Sequence, residues 1–340
     1  AIYLGQIAAA VVAGNTVLAK PAQQTPLIAH QLLHWWHQCG LPKGVIQNIY
    51  GGVDVAKALV ASANVSGILF TGSTQTAQSI SEAMVKHSGP IRPLIAETGG
   101  MNVMWVDSTA LIEQVAVDIM TSGFQSAGQR CSALRVCLVE EGIADRLIQV
   151  VAQAMNTWSV GDPANPTTDV GPIIDAEAKS RLEKHWQWLS EHAKVHARMS
   201  LPSLPGCFFP PSLVEIDDLA LLSKEVFGPI VHVKRFKWSQ VKDDIMAVNA
   251  WGYGLTMGIH SRLNHRVDAL VNGVKAGNYY INRDMIGATV GVQPFGGVGL
   301  SGTGPKAGGP NYLKRLCHEV TVTNNTAATG GNAALIQLLE

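Results

Sequence analysis

The stretch SGILFTGSTQTAQSISEAMVKH, residues 66–87, contains the change of pattern that decides the fold class. Its apolar run ILF is short and is typical of a buried β-strand. The residues TGST predict a turn, and the apolar residues after them recur with helical spacing. A strand that leads directly into a helix is the repeating unit of an α/β fold.

The same alternation occurs on both sides of this stretch. Upstream, NTVLAK and GVIQNIYG are strand-like, and TPLIAHQLLHWWHQC and VDVAKALVASA are helix-like. After ETGG the pattern restarts, with MNVMWVD and RVCLVEE as strands that are each followed by a helix-like run. We therefore predict an α/β protein whose parallel strands are covered by helices. Ligands of such sheets bind at the carboxyl ends of the strands.

The restart after ETGG and the glycine-dense run GVQPFGGVGLSGTGPKAGGP divide the chain. We predict a first, parallel-sheet domain over residues 1–98 and a second α/β domain over residues 99–297. A C-terminal segment covers residues 298–340. So many glycines in one run suit neither helix nor strand, and they indicate backbone amides that approach a ligand closely.

The composition disfavours several classes of function. The 340 residues include 25 Lys and Arg and 25 Asp and Glu, so no net charge attracts nucleic acid or an anionic membrane. Only 15% of residues are charged, against roughly 25% in an ordinary soluble domain. We expect much buried surface, part of it between subunits. No apolar run reaches the roughly 18 residues that a transmembrane helix needs.

Cysteines and histidines give no sign of a disulfide framework or a metal site. The five cysteines form no CxxC pair, which predicts a reduced, cytoplasmic protein. Three histidines in IAHQLLHWWHQCG, His30, His34 and His37, are spaced to share one helix face. A metal site needs further ligands and supporting contacts, so we interpret these histidines as a structural helix face.

Five residues are candidates for chemistry, each with a plainer alternative. Cys131 in FQSAGQRCSALR is either a buried apolar thiol or a nucleophile. Glu97 ends an apolar strand and is either a general base with a raised pKa or an acceptor in a turn. Gly72 and Ser73 either present a helix N-terminus to an anion or only cap the helix. Lys20 either binds a ribose or phosphate at a strand end or is solvated.

Six motifs together indicate a family. AKPAQQTP, FTGST, ETGGMN, GQRCSA, EVFGP and PFGGVGLSGTG occur in this order, and they closely resemble the motifs of the NAD(P)-dependent aldehyde dehydrogenases over nearly the whole chain. The resemblance implies a parallel-sheet cofactor domain, an α/β catalytic domain and a C-terminal oligomerisation flap. It also implies that Cys131 is the nucleophile and that Glu97 activates the hydrolytic water. The residues implied in cofactor binding are Lys20, Gly72, Ser73, Glu225 and Phe227.

Two further stretches resemble one branch of this family. SGTGPKAGGPNYL and VTNNTAATGGNA are similar to the glutamate-semialdehyde (Δ1-pyrroline-5-carboxylate) dehydrogenase domain of bifunctional proline-utilization-A proteins. This resemblance implies L-glutamate γ-semialdehyde as substrate, with its carboxylate held by Ser132 and by the backbone amides of Gly308 and Gly309. It further implies a proline dehydrogenase domain elsewhere in the same polypeptide, carrying FAD. The whole protein is then expected in the cytoplasm, with peripheral attachment to the inner membrane as an option.

The chain departs from the family pattern in two places. Family members carry a segment upstream of AIYLGQIAAA, so we expect the cofactor domain to be incomplete at its N-terminus. That segment includes an asparagine that stabilises the oxyanion, and losing one such donor typically lowers the rate by about a hundredfold or more. Gln23 replaces a glutamate that would repel the 2'-phosphate of NADP. This replacement removes a feature that would select against NADP; NAD remains the favoured cofactor, with NADP left open.

Three alternatives remain beside this reading. The chain is a dehydrogenase of another aldehyde, a nucleotide-binding fragment without turnover, or a cysteine hydrolase. The hydrolase lacks a histidine in any motif context that would pair with Cys131. The tail EVTVTNNTAATGGNAALIQLLE, residues 319–340, is expected to form a strand-like flap on a neighbouring subunit, which implies a homo-oligomer.

Overall fold

The computed structural model describes residues 2–86, 88–201, 203–325 and 337–338. The first part of the chain is built on a two-stranded parallel sheet, β1 and β2, in which Val17 lies opposite Ile46. A small apolar core that includes Ile7 and Ile46 forms between this sheet and the first helix. The elements are α1 (Ile2–Val12), β1 (Val17–Ala19), α2 (Pro26–Gln38) and β2 (Ile46–Asn48).

A second parallel pair, β3 and β4, follows and carries Glu97 at its end. Thr71 lies opposite Glu97 in this pair. The other edge of β4 is filled by a distant part of the chain, because the Thr303 N–H donates to the Ala96 carbonyl at 2.9 Å. The elements are α3 (Val53–Ala61), β3 (Ile68–Thr71), α4 (Thr74–Lys86) and β4 (Leu94–Glu97).

The predicted parallel pairing is therefore present in the first hundred residues, but it takes the form of two separate pairs. Within the described part of the chain, β1 and β2 share no ladder with β3 and β4. At the free edge of β4 no further strand can pair, because residues 301–303 run along this edge and occupy its hydrogen-bonding positions.

The rest of the chain forms a seven-stranded mixed sheet in the order β11-β10-β5-β6-β9-β8-β7. Every neighbouring pair is parallel except β7 and β8. Its strands are β5 (Val103–Val106), β6 (Val136–Glu140), β7 (Lys194–Arg198), β8 (Ser212–Glu215), β9 (Ile230–Phe236), β10 (Thr256–His260) and β11 (Asn278–Ile281). Its helices are α5 (Ile112–Phe124), α6 (Glu141–Met155), α7 (Ala176–His192), α8 (Val241–Ala250) and α9 (Asn264–Gly273).

Both faces of this sheet are buried. In β5, Met104 and Val106 enter one apolar cluster, and Val103 and Trp105 enter the other. A parallel strand with two covered faces is apolar at successive positions, which is why VMWV and VCLV are continuous apolar runs. The position of the helices after these strands agrees with the predicted α/β class.

The structure adds elements that the patterns did not predict, including α1 and the antiparallel strand β7. The domain limits at residues 98 and 297 remain predictions. The expected flap starts at residue 319; residues 319–325 have no helix or strand, and residues 326–336, 339 and 340 lie outside the described part. None of the described helices combines the length and the hydrophobicity that a membrane crossing needs.

Candidate active site

The candidate nucleophile lies in a tight loop between α5 and β6, residues 126–134, which we call the Cys131 loop. The loop begins with three consecutive residues in the left-handed region, Ser126, Ala127 and Gly128, with φ of 55°, 54° and 64°. The two non-glycine residues in this conformation each store on the order of 1 kcal/mol of strain. The surrounding structure must therefore hold the loop in place. Cys131 itself is partly exposed.

Asn102 holds the Cys131 loop against the start of β5. Its side-chain Nδ2 donates to the carbonyl oxygens of Cys131 at 2.6 Å and Ala133 at 2.9 Å. Its Oδ1 accepts the Thr256 N–H at 3.2 Å. A buried amide with these bonds fixes the backbone on both sides of Ser132. ETGGMN contains this residue, but nothing in the motif alone pointed to the role.

The surroundings of Cys131 favour the neutral thiol. Burial raises its pKa above the ordinary value, and the Glu225 carboxylate raises it further. The N–H of Ser132 and the guanidinium of Arg135 partly offset this by favouring the thiolate. Nucleophilic attack requires the thiolate, so the site needs a base as well as the cysteine.

Glu97 has the properties of such a base. It ends β4, and its Oε2 accepts the Gly297 N–H at 3.2 Å. Its Oε1 is buried and has no hydrogen-bond partner among the described residues. Burial raises the pKa of Glu97 to about 7, against the smaller opposing effects of the Gly297 N–H and of Lys306. A carboxyl group with this pKa exchanges protons near neutral pH.

The contacts of Glu97 explain two glycines of the glycine-dense run, residues 291–310. A Cβ atom at Gly296 would lie 2.6 Å from Glu97 Oε1, and one at Gly302 would lie 3.0 Å from Glu97 Oε2. Only glycines allow the backbone to come this close to the carboxylate. The amides that were expected to approach a ligand thus reach, in the case of Gly297, a carboxylate of the protein itself.

Glu225 lies against Gly99 and forms an ion pair with the buried Arg135. A Cβ atom at Gly99 would lie 1.8 Å from Glu225 Oε2, so the carboxylate rests directly on this glycine. Glu225 Oε1 accepts Arg135 Nη2 at 2.9 Å, and the two side chains are 16% and 1% exposed. Phe227 is exposed, with its ring 5.0 Å from the Arg135 guanidinium carbon.

Ser73 acts as the cap of α4. Its Oγ accepts the Thr76 N–H at 3.2 Å, which is the plainer of the two interpretations of FTGST. The Gly72 N–H donates to the Glu97 carbonyl at 3.2 Å, so the turn is joined to the end of β4. A phosphate role for Gly72 and Ser73 remains a prediction.

Lys20 lies beside a pocket at the end of β1. Its Nζ donates to the Pro21 carbonyl at 3.4 Å. The pocket next to it has a volume of about 230 Å³. The lining residues are Pro21, Ala22, Gln23, Pro26, Tyr50 and Gly51.

The three residues predicted to bind the substrate carboxylate, Gly308, Gly309 and Ser132, have different backbone conformations and hydrogen bonds. Gly308 has φ of 71°, in the left-handed region. The Gly309 N–H donates to the Lys306 carbonyl at 3.0 Å, so it is engaged in a turn. Ser132 is buried, and its carbonyl accepts the Thr256 hydroxyl at 3.2 Å. Substrate binding by these three residues remains a prediction.

A comparison with known families identifies the family of the chain. The family model for the aldehyde dehydrogenase family matches residues 1–322. The chain belongs to the aldehyde dehydrogenase family. Among curated aldehyde dehydrogenase relatives, the bifunctional protein PutA of Escherichia coli strain K12 is 49% identical over 328 residues, covering 93% of this chain and 25% of that protein. The 1-pyrroline-5-carboxylate dehydrogenase of Geobacillus kaustophilus is 35% identical, covering 92% of this chain and 62% of that protein.

Solved structures of aldehyde dehydrogenases agree with the fold. A mutant of proline utilization A from Bradyrhizobium japonicum has a TM-score of 0.94 and 50% identity, covering 96% of this chain and 34% of that one. A mutant of 1-pyrroline-5-carboxylate dehydrogenase from Thermus thermophilus has a TM-score of 0.87 and 30% identity, covering 93% and 62%. The chain spans about a quarter of the length of the curated PutA relatives.

The aldehyde dehydrogenase site thus brings together elements far apart in sequence. Cys131 and Glu225 influence each other electrostatically, and Glu225 lies against the backbone two residues after Glu97. In the part of the chain that is described, no group of three or more His, Cys, Asp or Glu side chains is placed to hold a metal. His30 and His34 are exposed on α2.

Proposed function

We propose that this chain forms the dehydrogenase site that oxidises L-glutamate γ-semialdehyde to L-glutamate, with NAD as hydride acceptor, in proline catabolism. The observation that carries the proposal is the partly buried Glu97 carboxyl group. Its Oε1 has no hydrogen-bond partner among the described residues, and its pKa of about 7 supplies a base for a site with a protonated thiol. The 1-pyrroline-5-carboxylate dehydrogenases and PutA proteins among its relatives support the choice of aldehyde.

Cys131 is the nucleophile of the proposed reaction. Its sulfur forms a bond to the aldehyde carbon as the carbonyl π bond breaks, and the proton lost by the thiol is balanced by one gained by the carbonyl oxygen, giving a thiohemiacetal. The Asn102 amide, bonded to the Cys131 and Ala133 carbonyls, keeps the loop backbone still during this attack. A nicotinamide dinucleotide held by this chain would supply the hydride acceptor for this carbon; with loss of the hydroxyl proton, Cys131 would then carry a thioester.

Glu97 completes the reaction by activating water. Its ionised carboxylate takes a proton from a water molecule, whose oxygen adds to the thioester carbon. The carbon–sulfur bond then breaks, and the product leaves as a carboxylate. The Gly297 N–H, at 3.2 Å from Oε2, orients the carboxylate so that Oε1 remains available for the water.

The dinucleotide is held by residues of this chain on two sides. Lys20 directly precedes Pro21, which lines the pocket at the end of β1, and its ammonium binds a ribose hydroxyl. Glu225 binds the nicotinamide ribose, with Phe227 beside the ring. The start of α4, with Gly72 and Ser73, faces the pyrophosphate. Gln23 lines the same pocket as a neutral amide, so NADP remains an alternative to NAD.

The substrate carboxylate is held away from the reacting carbon by Ser132 and the amides of Gly308 and Gly309. For the whole protein we propose a proline dehydrogenase domain with FAD, a homo-oligomer, and a cytoplasmic location with peripheral attachment to the inner membrane. We also propose the three-part division at residues 98 and 297, with the dinucleotide bound mainly by the first part and with Glu225 and Phe227 supplied by the second.

The test is formation of reduced nicotinamide from L-glutamate γ-semialdehyde, with NAD and NADP side by side. We expect turnover by the chain to disappear in Cys131→Ala. Ser132→Ala should weaken turnover of this substrate more than that of an uncharged aliphatic aldehyde. Equal turnover by Cys131→Ala would contradict the mechanism. Faster turnover of the uncharged aldehyde, unaffected by Ser132→Ala, would contradict the substrate.

A further inference from the structure

We propose that Arg135 is a positioning residue that sets the Cys131 loop and residues 225–228, here called the Glu225 segment, in one fixed arrangement. The residue stands four positions after Cys131, at the start of β6, and it touches neither reacting atoms nor pockets. It acts through the two segments it joins. The inference rests on Cys131 as the nucleophile of the proposed function.

The backbone of Arg135 is fixed before its side chain is considered. Its N–H donates to the Asn102 carbonyl at 3.0 Å, so it shares the anchor of the Cys131 loop. Its carbonyl accepts the His232 N–H at 3.0 Å and lies 2.9 Å from His232 Nδ1. These contacts place the residue between β5 and β9 in the middle of the sheet, where it is 1% exposed. Its guanidinium has little freedom to move.

The guanidinium holds the Cys131 loop through two of its backbone carbonyl groups. Its Nη1 donates to the Gly128 carbonyl at 2.6 Å, and its Nη2 donates to the Arg130 carbonyl at 2.9 Å. Gly128 is the last of the three consecutive left-handed residues, which persist only where contacts determine them. The bond to Gly128 therefore maintains a strained turn that aims the next residues, including Cys131.

The same guanidinium holds the Glu225 segment. Its Nε and Nη2 donate to Glu225 Oε1 at 3.3 and 2.9 Å, and its Nη1 lies 3.4 Å from the Gly228 carbonyl. The two segments also meet directly, since a Cβ atom at Gly128 would lie 2.3 Å from the Gly228 oxygen. A shift of one segment therefore disturbs the other.

All five N–H donors of the Arg135 side chain are used in these bonds. A buried charge of this kind is tolerated because it is paired and fully hydrogen-bonded. Lysine retains the charge but offers only three donors, all from one point, so it cannot replace the five bonds of the guanidinium. Arg135→Lys thus separates geometry from charge.

The experiment measures the reactivity of Cys131 without aldehyde. Iodoacetamide labelling of the Cys131 peptide is followed by mass spectrometry from about pH 6 to about pH 10. The variants are Arg135→Lys, Arg135→Met and Glu225→Gln. Arg266→Met is the matched control, because Arg266 is 16% exposed, pairs with Glu140 at 2.9 Å and lies 4.4 Å over the Trp238 ring. Melting temperatures, kcat and KM are recorded for each.

We expect both Arg135 variants to label roughly tenfold more slowly near neutral pH, because the neighbouring cation or its geometry is lost. Their kcat should fall by on the order of a hundredfold, as expected for a displaced nucleophile. Glu225→Gln should label faster, since a negative charge beside the thiol is removed. The melting temperature of Arg266→Met should fall by a similar amount, but its Cys131 labelling rate and its kcat should stay at the values of the parent protein.

The inference is overturned if Arg135→Lys labels and turns over like the parent protein, or if Arg266→Met shows the same losses as the Arg135 variants. If Arg135→Met does not fold, the other two variants still test the inference, because Cys131 should label more slowly in Arg135→Lys and faster in Glu225→Gln. Changed labelling together with no turnover of glutamate semialdehyde would contradict the proposed substrate and leave the role of Arg135 standing.

Discussion

Replacing Glu97 with glutamine should remove a loss of stability that the parent protein suffers as the pH rises. Burial raises the pKa of this carboxyl group from 4.5 to about 7. At about 1.4 kcal/mol for each unit, the difference corresponds to roughly 3 kcal/mol between the two protonation states. One group therefore contributes a large part of the pH dependence of a marginally stable fold.

The sign follows from proton uptake. Between pH 4.5 and about 7 the folded protein keeps the Glu97 proton that the unfolded chain has released. The contribution of this group to stability is therefore complete below the lower value and is lost as the pH rises through the upper one. Glutamine does not titrate. Glu97→Gln should lose roughly 3 kcal/mol less than the parent protein between about pH 4 and about pH 8.

Denaturant unfolding at several pH values measures this difference directly. Glu113→Gln is the matched control, because its side chain is 73% exposed and pairs with Arg146 on the surface. That variant should follow the parent curve within a few tenths of a kcal/mol. Parallel curves for the parent protein and Glu97→Gln would refute the assignment of a raised pKa to this residue.

Three further predictions concern the same region. Labelling of Cys131 should continue to accelerate above the pH at which a free small thiol levels off, because its pKa is raised; an earlier plateau would contradict this. Gly296→Ala should lower kcat by about tenfold or more, because the new Cβ would lie 2.6 Å from Glu97 Oε1 and would displace this carboxylate. Gly142→Ala is the control, since a Cβ there would meet open space and should leave kcat unchanged. Equal kcat values for the two variants would contradict the contact. Leu182→Ala should lower the unfolding free energy by about 2 to 5 kcal/mol, because the side chain is 2% exposed in the core; a change below about 1 kcal/mol would contradict its packing role.

Local patterns were sufficient for much of the fold. The strands β5 and β6 were predicted because both faces are buried, so that every position from Val103 to Val106 is apolar. Strand β7 was not predicted, because it lies at the edge of the sheet and its sequence KVHAR is mostly exposed or half-buried. The helix α1 was not predicted, since its apolar residues extend around much of its surface and give little helical periodicity.

The site was less accessible from sequence than the fold. Cys131 and Glu97 were identified by motifs, but the support around them depends on contacts between distant positions. Arg135 and Glu225 are 90 residues apart, and no local spacing reports such a pair. The available signal for Arg135 was a charged residue at the entrance of a strand that is otherwise apolar, which predicts a buried ion pair without naming the partner.

The run of residues 296–303 beside β4 has a consequence for biosynthesis. Glu97 receives its orienting amide from Gly297, which follows it by 200 residues. At about 5 to 20 residues per second, a ribosome needs roughly 10 to 40 s to make that interval. During this time the nascent chain already contains Cys131 but lacks the amide that orients Glu97. The arrangement proposed for thioester hydrolysis can thus form only after Gly297 has been synthesised.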